Sequence, residues 1–130
     1  MTRIVLFVCP HGAGMSRIAA ARFNLVAPTG WHALSAGLEP QAELGLHAPR
    51  LLAGTPAAEL LDRERPRPIS SVAAVDRIVA VCCDVPGAER WELAHREFSE
   101  AMRDEIRTRA ETLALEFQPG DVTTAASFMP

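Results

Sequence analysis

Residues 4–26 read IVLFVCPHGAGMSRIAAARFNLV, and this stretch decides the fold. Its first five residues are apolar without interruption, as in a strand that is buried on both faces of a sheet. From Arg17 onward, apolar residues recur three and four positions apart, which predicts a helix. A loop with two glycines, residues 9–16, joins the predicted strand to the predicted helix.

A loop that leads from a buried strand into a helix gathers backbone N–H groups at one place. The positive end of the helix dipole lies there too, so the place favours an anion. Cys9 starts this loop, and a thiol at a helix N-terminus loses its proton more easily than a free one. We therefore expect a Cys9 thiolate in an anion-binding loop. The candidate anion-binding residues are Pro10, His11, Gly12, Ala13, Gly14, Met15, Ser16 and Arg17.

The composition predicts one domain with a hydrophobic core, because the chain has 130 residues and is 48% hydrophobic. We expect the domain to span residues 1–120 and residues 121–130 to form a flexible tail. The net charge is −3 and the basic residues are spread along the chain, which argues against nucleic acid and anionic membranes as partners. No apolar stretch approaches the ~20 residues of a membrane span. Three cysteines, an odd number, do not suggest a secreted disulfide framework, so we expect a cytoplasmic protein.

The rest of the chain alternates strands and helices, which predicts an α/β fold with a parallel sheet. Ligands of such sheets bind beyond the carboxyl ends of the strands, and Cys9 and Cys82 both end predicted strands there. The predicted elements are a strand at 31–37, helices at 47–54 and from 55–56, a charged loop at 63–68, a helical turn at 70–75, a buried strand at 78–83, a turn at 85–88 and a long helix at 97–117 ended by Pro119 and Gly120.

The loop resembles that of the low-molecular-weight protein tyrosine phosphatases and the related thioredoxin-coupled arsenate reductases. That family has a strand, a Cys, five residues, an Arg, a Ser and an Ala-rich helix. Cys9 and Ser16 match it, but Gly12 stands at the usual Asn and Met15 at the phosphate-binding Arg. The stretch 35–37, Ser-Ala-Gly, also resembles a family motif. The resemblance implies a three-layer, four-stranded parallel sheet of order 2-1-3-4, with helices on both faces.

The same resemblance implies roles for several side chains. Cys9 would be the nucleophile, Ser16 would stabilise its thiolate, and His95 would stand at the position of the general-acid Asp. In the arsenate reductases a second Cys, at the position of Cys82, forms a disulfide with the first. A third Cys about seven residues later opens that disulfide. This sequence has no Cys after Cys83, so the last step would need Cys83 or an outside thiol.

Three functions stay open at this point. In the first, the protein keeps the loop but not efficient hydrolysis, and acts as an anion-binding or regulatory module. In the second, Cys9 performs other thiol chemistry, either a redox couple with Cys82 or a repurposed biosynthetic step. In the third, the protein is a working phosphatase in which Arg17 or His11 replaces the missing cation. His11 is equally compatible with a packing role at the edge of the loop.

The remaining expectations concern ligands. We expect a small oxyanion or phosphorylated ligand as partner and no cofactor. A metal site from Cys9, His11, Cys82 and Cys83 would combine soft ligands, but their spacing matches no strong zinc pattern. His32 and His47 are interpreted as structural or solvent-facing, and the sequence leaves the oligomeric state open.

Overall fold

The structure is a computed structural model, and it describes residues 2–117 of the chain. The predicted tail at 121–130 and the helix stop at 119–120 lie outside the described residues. The elements are β1 (Arg3–Cys9), α1 (Met15–Val26), β2 (Trp31–Gly37), α2 (His47–Leu52), β3 (Arg77–Val81), β4 (Glu89–Trp91) and α3 (Glu100–Glu116), with 3-10 helices at Pro56–Leu60 and Ile69–Ser71.

The four strands form one parallel sheet of order β2-β1-β3-β4. This confirms the order that the resemblance implied. Cys9 is paired with Gly37 of β2, and Val8 with Ala80 of β3, so β1 is central and its carboxyl end lies between two neighbours. The edge strand β4 has three residues, too few to show a period-2 pattern, and the sequence assigned no strand to it.

The two faces of the sheet are covered unequally. Helices α1, α2 and α3 pack on the face that carries Val5 and Phe7. The opposite face carries Leu6 and Val8, and its cover is thinner, because it consists of the 3-10 helix Ile69–Ser71 and the loop residues around it. Both faces of β1 are thus buried, as its uninterrupted apolar sequence predicted. Within residues 2–117, no helix is long and apolar enough to cross a membrane.

Two predicted boundaries were wrong in ways that matter for the site. β3 ends at Val81, so Cys82 follows the strand; its φ of +56° turns the chain away from the extended conformation. The last helix begins at Glu100, because Ser99 caps it with a side-chain oxygen that accepts the Met102 N–H at 3.2 Å. Phe98 therefore precedes the helix.

Candidate functional site

The loop after β1, residues 9–16, has its carbonyl groups held by the surrounding protein. Three carbonyls accept N–H groups from the segment that follows β2, and a fourth accepts from an arginine. The bonds are Leu38 N to Cys9 O at 3.1 Å, Glu39 N to Pro10 O at 2.9 Å, Gln41 N to His11 O at 3.2 Å and Arg17 Nε to Gly12 O at 2.9 Å.

Several N–H groups of the same loop, in contrast to its carbonyls, have no hydrogen-bond partner among the described residues. Among residues 2–117, no backbone or side-chain acceptor takes the N–H of His11, Gly12, Ala13 or Gly14. The first N–H groups of α1, which begins at Met15, have no acceptor within the helix either. The carbonyls of residues 9–12 are therefore engaged by the protein, while the N–H groups of residues 11–14 have no acceptor in the described part of the chain.

Glycine is required where the loop crosses β2. Gly12 has φ +70°, and a Cβ on it would lie 2.7 Å from the Gly37 backbone nitrogen. A Cβ on Gly37 would lie 2.6 Å from the Gly12 nitrogen. The two backbones thus pack directly on each other, which no side chain at either position would allow.

The structure brings Cys9 and Ser16 together, as the resemblance implied. Cys9 Sγ and Ser16 Oγ lie 3.0 Å apart and are hydrogen-bonded. Both residues are buried, with exposed fractions of 2% and 0%. A hydroxyl at this distance can donate to a thiolate, and such charge-assisted bonds are stronger than neutral ones.

Arg17 supports the loop from the protein side. Its exposed fraction is 1%, and besides the Gly12 carbonyl it binds the Asp62 carbonyl through Nη1 at 2.5 Å. The Asp62 carboxylate lies 3.5 Å from the same nitrogen. Burial lowers the pKa of the Arg17 guanidinium, and the Asp62 carboxylate opposes that shift. Arg17 therefore contacts the predicted anion-binding loop at the Gly12 carbonyl, but it does not line the cavity above Cys9.

A cavity of about 190 Å³ opens at Cys9. Its walls are mainly apolar, and Met15 forms part of them. None of the described residues that line the cavity is an Asp, a Glu or an Arg. The lining residues are Cys9, Pro10, His11, Ala13, Gly14, Met15, Gln41, Gly45, His47 and Phe98.

The sequence analysis placed none of Gln41, Gly45, His47 and Phe98 in the site, although all four line the cavity. His47 and Phe98 are the two that contribute rings. Their rings are stacked, with centroids 4.1 Å apart and planes inclined by 2°. His47 lies at the start of α2, and Phe98 directly before the cap of α3. Both reach Cys9 through tertiary packing, and no local pattern at either position signals it.

The structure does not place His95 in the cavity. Its side chain lies in another groove, formed by residues 94–97 and Ser99. Its backbone N–H donates to Glu105 Oε1 at 2.9 Å, which fixes this loop against α3. The position implied for a general acid therefore differs from the position that His95 takes.

Cys82 and Cys83 differ from each other in their surroundings. Cys82 lies in the same core cluster as Cys9, and its N–H donates to the Trp91 carbonyl at 2.9 Å. Cys83 lies on the opposite face, where its thiol donates to the Val8 carbonyl at 3.5 Å. Burial raises the pKa of the Cys83 thiol to about 11. All three cysteines are free, and the described part of the chain contains no cluster of three or more His, Cys, Asp or Glu side chains suited to a metal.

Comparison with known proteins gives matches among solved structures. No protein-family model matches the sequence, and a search of curated proteins finds no match. An arsenate reductase from Archaeoglobus fulgidus is 31% identical, with a TM-score of 0.68 over 85% of this chain and 98% of that one. A thioredoxin-dependent arsenate reductase from Corynebacterium glutamicum is 25% identical, with a TM-score of 0.67 over 88% of this chain and 61% of that one.

A low-molecular-weight protein tyrosine phosphatase from T. tengcongensis shares the fold at 15% identity. Its TM-score is 0.63 over 88% of this chain and 99% of that one. The Archaeoglobus protein is matched over almost its whole length. The chain therefore belongs to the family of the arsenate reductases and low-molecular-weight protein tyrosine phosphatases.

Proposed function

We propose that this protein binds small oxyanions in the loop 9–16, with the Cys9 thiolate at the base of the site, and that it is not an efficient tyrosine phosphatase. The observation that supports the binding function most is the division of the loop's polar groups. Carbonyls of the loop are engaged by the protein, while the N–H groups of residues 11–14 are left for a ligand. Backbone N–H groups grouped at a helix N-terminus are a common binding site for oxyanions.

The proposed lack of efficient hydrolysis follows from what the cavity offers. Met15 brings a thioether where phosphoryl transfer needs a cation, and removal of an arginine finger costs on the order of 10³ to 10⁵ in rate, by analogy. No carboxylic acid lines the cavity among the described residues, and loss of a general acid costs roughly a further 10² to 10⁴. The two losses are not simply additive. Arg17 does not line the cavity, and its Nε and Nη1 donate to the Gly12 and Asp62 carbonyls, while its buried Nη2 has no hydrogen-bond partner among the described residues.

Hydrolysis of an aryl phosphate tests this proposal. We expect p-nitrophenyl phosphate turnover by the wild type to be close to that of Cys9→Ser, and Met15→Arg to raise it in a Cys9-dependent way. The double variant Cys9→Ser with Met15→Arg is the matched control. Fast turnover by the wild type that Cys9→Ser abolishes would show that the protein is a working phosphatase.

A second function is favoured by the position of Cys82. Cys9 and Cys82 are both free, belong to one core cluster and follow neighbouring strands, and the φ of +56° at Cys82 is a strained conformation for a residue with a side chain. In this alternative the two thiols form a disulfide. They give two electrons and two protons to an oxidised oxyanion such as arsenate, the substrate named for the Archaeoglobus relative.

Thiol counting distinguishes this alternative. Because the chain has no Cys beyond Cys83, an external thiol would have to reduce the disulfide again. In Cys83→Ala, mild oxidation with hydrogen peroxide is expected to remove both remaining thiols together if the couple exists. Loss of one thiol alone, with a sulfenic acid on Cys9, excludes it.

A further inference from the structure

Three successive peptide groups of the anion-binding loop share one arrangement. The carbonyls of residues 10–12 are bound by donors of the surrounding protein, while the N–H groups of the same three peptides have no acceptor among residues 2–117. Two of the three donors are neutral backbone N–H groups. The third donor is the Arg17 guanidinium, whose Nε lies 2.9 Å from the Gly12 carbonyl oxygen. Of these three peptides, the one between Gly12 and Ala13 is therefore bound to a charge.

The peptide between Gly12 and Ala13 links this charge to the cavity. The C=O and N–H bonds of a trans peptide point in opposite directions, and none of the described peptides is cis. Because the carbonyl is bound to the guanidinium, the Ala13 N–H points away from Arg17, and Ala13 lines the cavity at Cys9. A hydrogen bond at one end of a peptide polarises the group and strengthens the donor at the other end. The charge of Arg17 can thus act on a ligand through one peptide, although Arg17 does not line the cavity.

The charge of Arg17 is only partly neutralised by its neighbours. Its Nη2 is buried and has no hydrogen-bond partner among the described residues. The Asp62 carboxylate lies 3.5 Å from Arg17 Nη1, but it lies closer, at 2.7 Å, to Nη2 of a second arginine, Arg67. The other carboxylate near Arg67 belongs to Glu64, whose side chain is 83% exposed, so water screens its charge.

A negative charge on the other side of the loop would complete this balance. A buried cation with an incomplete counter-ion is costly unless another anion lies nearby. Burial lowers the pKa of the Arg17 guanidinium, and the negative charges of Asp62 and of a Cys9 thiolate oppose that shift. Arg17 is therefore coupled to the site at Cys9 through its charge as well as through the Gly12 carbonyl.

We propose that Arg17 is a positioning residue for oxyanion binding, which polarises the Ala13 N–H from the protein side of the loop and balances the negative charge of a ligand beside Cys9. This inference rests on the oxyanion binding proposed above and specifies how the site supplies positive charge without an arginine among the described lining residues. The Coulomb energy between Arg17 and a ligand is proportional to the charge of the ligand, so a dianion gains more than a monoanion of the same shape. A contact that only fixed the shape of the loop would affect both ions alike.

Protection of Cys9 from iodoacetamide tests this role, with doubly charged sulfate and singly charged methanesulfonate as probes of similar shape. The alkylated Cys9 peptide is quantified by mass spectrometry at constant ionic strength, which gives the half-protecting concentration of each ion. Arg17→Gln removes the charge and keeps a neutral donor. We expect it to raise the half-protecting concentration of sulfate about tenfold and that of methanesulfonate about threefold. Arg17→Lys keeps the charge, so the ratio of the two concentrations should stay closer to that of the wild type.

Arg22 provides the matched control on the same helix. It is also buried, with an exposed fraction of 5%, and its Nε also has no hydrogen-bond partner among the described residues. It lies about 7.5 Å further along the axis of α1 than Arg17. The charges that act on it belong to α3, and they are those of Arg103, Arg107, Asp104 and Glu111. Arg22→Gln thus removes a buried charge that does not contact the loop, and it should change the ratio of the two concentrations less than about twofold.

Asp62→Asn gives a test of opposite sign that does not depend on the folding of an Arg17 variant. It removes the carboxylate charge beside Arg17 but leaves the Asp62 backbone carbonyl, which accepts from Nη1 at 2.5 Å. The guanidinium should then attract anions more strongly. We therefore expect sulfate to protect Cys9 at a concentration about threefold lower than in the wild type, with a smaller gain for methanesulfonate.

The outcomes separate the two proposals. If neither ion protects wild-type Cys9, oxyanion binding fails and this inference fails with it. If both ions protect and Arg17→Gln weakens them by the same factor, or leaves both unchanged, oxyanion binding stands and the charge role of Arg17 is wrong. An equal change of the ratio in Arg22→Gln would show that the effect does not depend on the contact with the loop, and would also overturn the inference. If Arg17→Gln does not fold, unchanged or weaker protection by sulfate in Asp62→Asn decides against it.

Discussion

Two segments that follow neighbouring parallel strands contain the three cysteines, and they use their polar groups in opposite ways. In the first segment, residues 9–16, the N–H groups of residues 11–14 have no acceptor within residues 2–117, and the Cys9 sulfur is bonded to a hydroxyl. In residues 82–88, after β3, the Cys82 N–H is bonded to β4 and the Cys83 sulfur to a carbonyl of β1. The thiols of Cys9 and Cys83 lie at the same edge of the sheet, but they have different hydrogen-bond partners.

The two segments also differ in how they are supported. A buried arginine, Arg17, holds the first segment from the protein side, whereas the exposed Arg90 pairs with Asp84 at the second. Each segment has one glycine with positive φ. Gly12 packs against another backbone, while a Cβ on Gly87 would meet nothing within 4 Å. The chain therefore provides a matched control for each feature of the loop that starts at Cys9.

The largest expected change in the free energy of unfolding is that of Arg17→Met, and Arg90→Met is its control. Arg17→Met removes the donors of the Gly12 and Asp62 carbonyls, while the Asp62 carboxylate keeps Arg67 at 2.7 Å. Because two carbonyls lose their partners, we expect the free energy of unfolding to fall by about 3–5 kcal/mol. Arg90→Met should change it little, because exposed ion pairs contribute little. Urea unfolding measures both, and equal losses would contradict the difference between the two segments.

The next largest loss of stability is expected from Gly12→Ala, with Gly87→Ala as its control. Gly12→Ala places a Cβ 2.7 Å from the Gly37 nitrogen in addition to the strain of a positive φ, so we expect a loss of about 2–4 kcal/mol. Gly87→Ala has the strain alone and should lose about 1–2 kcal/mol. Thermal or urea unfolding of the pair isolates the contact between the two backbones. If Gly12→Ala is no worse than Gly87→Ala, the loop has room to move away from β2.

The third effect is a pH dependence that originates after β3. Burial raises the pKa of Cys83 from 9.0 to about 11, so the unfolded chain releases this proton at a lower pH than the folded one. Stability should therefore fall as the pH rises from 9 to 11, by about 2–3 kcal/mol in all. The chain has no lysine and no tyrosine, which leaves cysteine as the side chain that titrates in this window.

The control for this pH effect is Cys83→Ala. It should remove most of the decrease between pH 9 and 11, whatever it does to stability at pH 7. An unchanged slope in this variant would mean that the decrease originates at Cys9 or Cys82, and the second segment would then lack the buried, protonated thiol that distinguishes it.

The sequence predicted the first segment better than the second, for a physical reason. An apolar strand, a glycine loop and an amphipathic helix are local patterns, so β1, the loop and α1 were predicted to within two residues. The break after β3 was not, because an apolar run such as residues 78–83 looks the same whether it is extended or turns at Cys82. The strand order came from the family resemblance and could not be read from any local pattern.

The residues that line the cavity could not all be predicted from local sequence patterns either. His47 and Phe98 reach Cys9 because the chain between β2 and α2 folds over the loop, and because Ser99 starts α3 one residue after Phe98. His95 is held elsewhere by the bonds of its loop to Glu105. Such placements depend on tertiary contacts, so side chains distant in sequence from the Cys9 loop were the ones that the sequence assigned incorrectly or missed.

The smallest expected effect concerns the hydroxyl beside the sulfur. Ser16→Ala removes the hydrogen-bond donor 3.0 Å from Cys9 Sγ, so the thiolate loses stabilisation and alkylation of Cys9 by iodoacetamide at pH 7 should slow about tenfold. Cys83 is the internal control, since its thiol bonds to Val8 and its rate should stay unchanged in the same sample. Equal slowing at both cysteines would indicate a general change in the packing of the sheet. No slowing at Cys9 would mean that the unengaged N–H groups of the loop, and not the hydroxyl, determine the reactivity of the first segment.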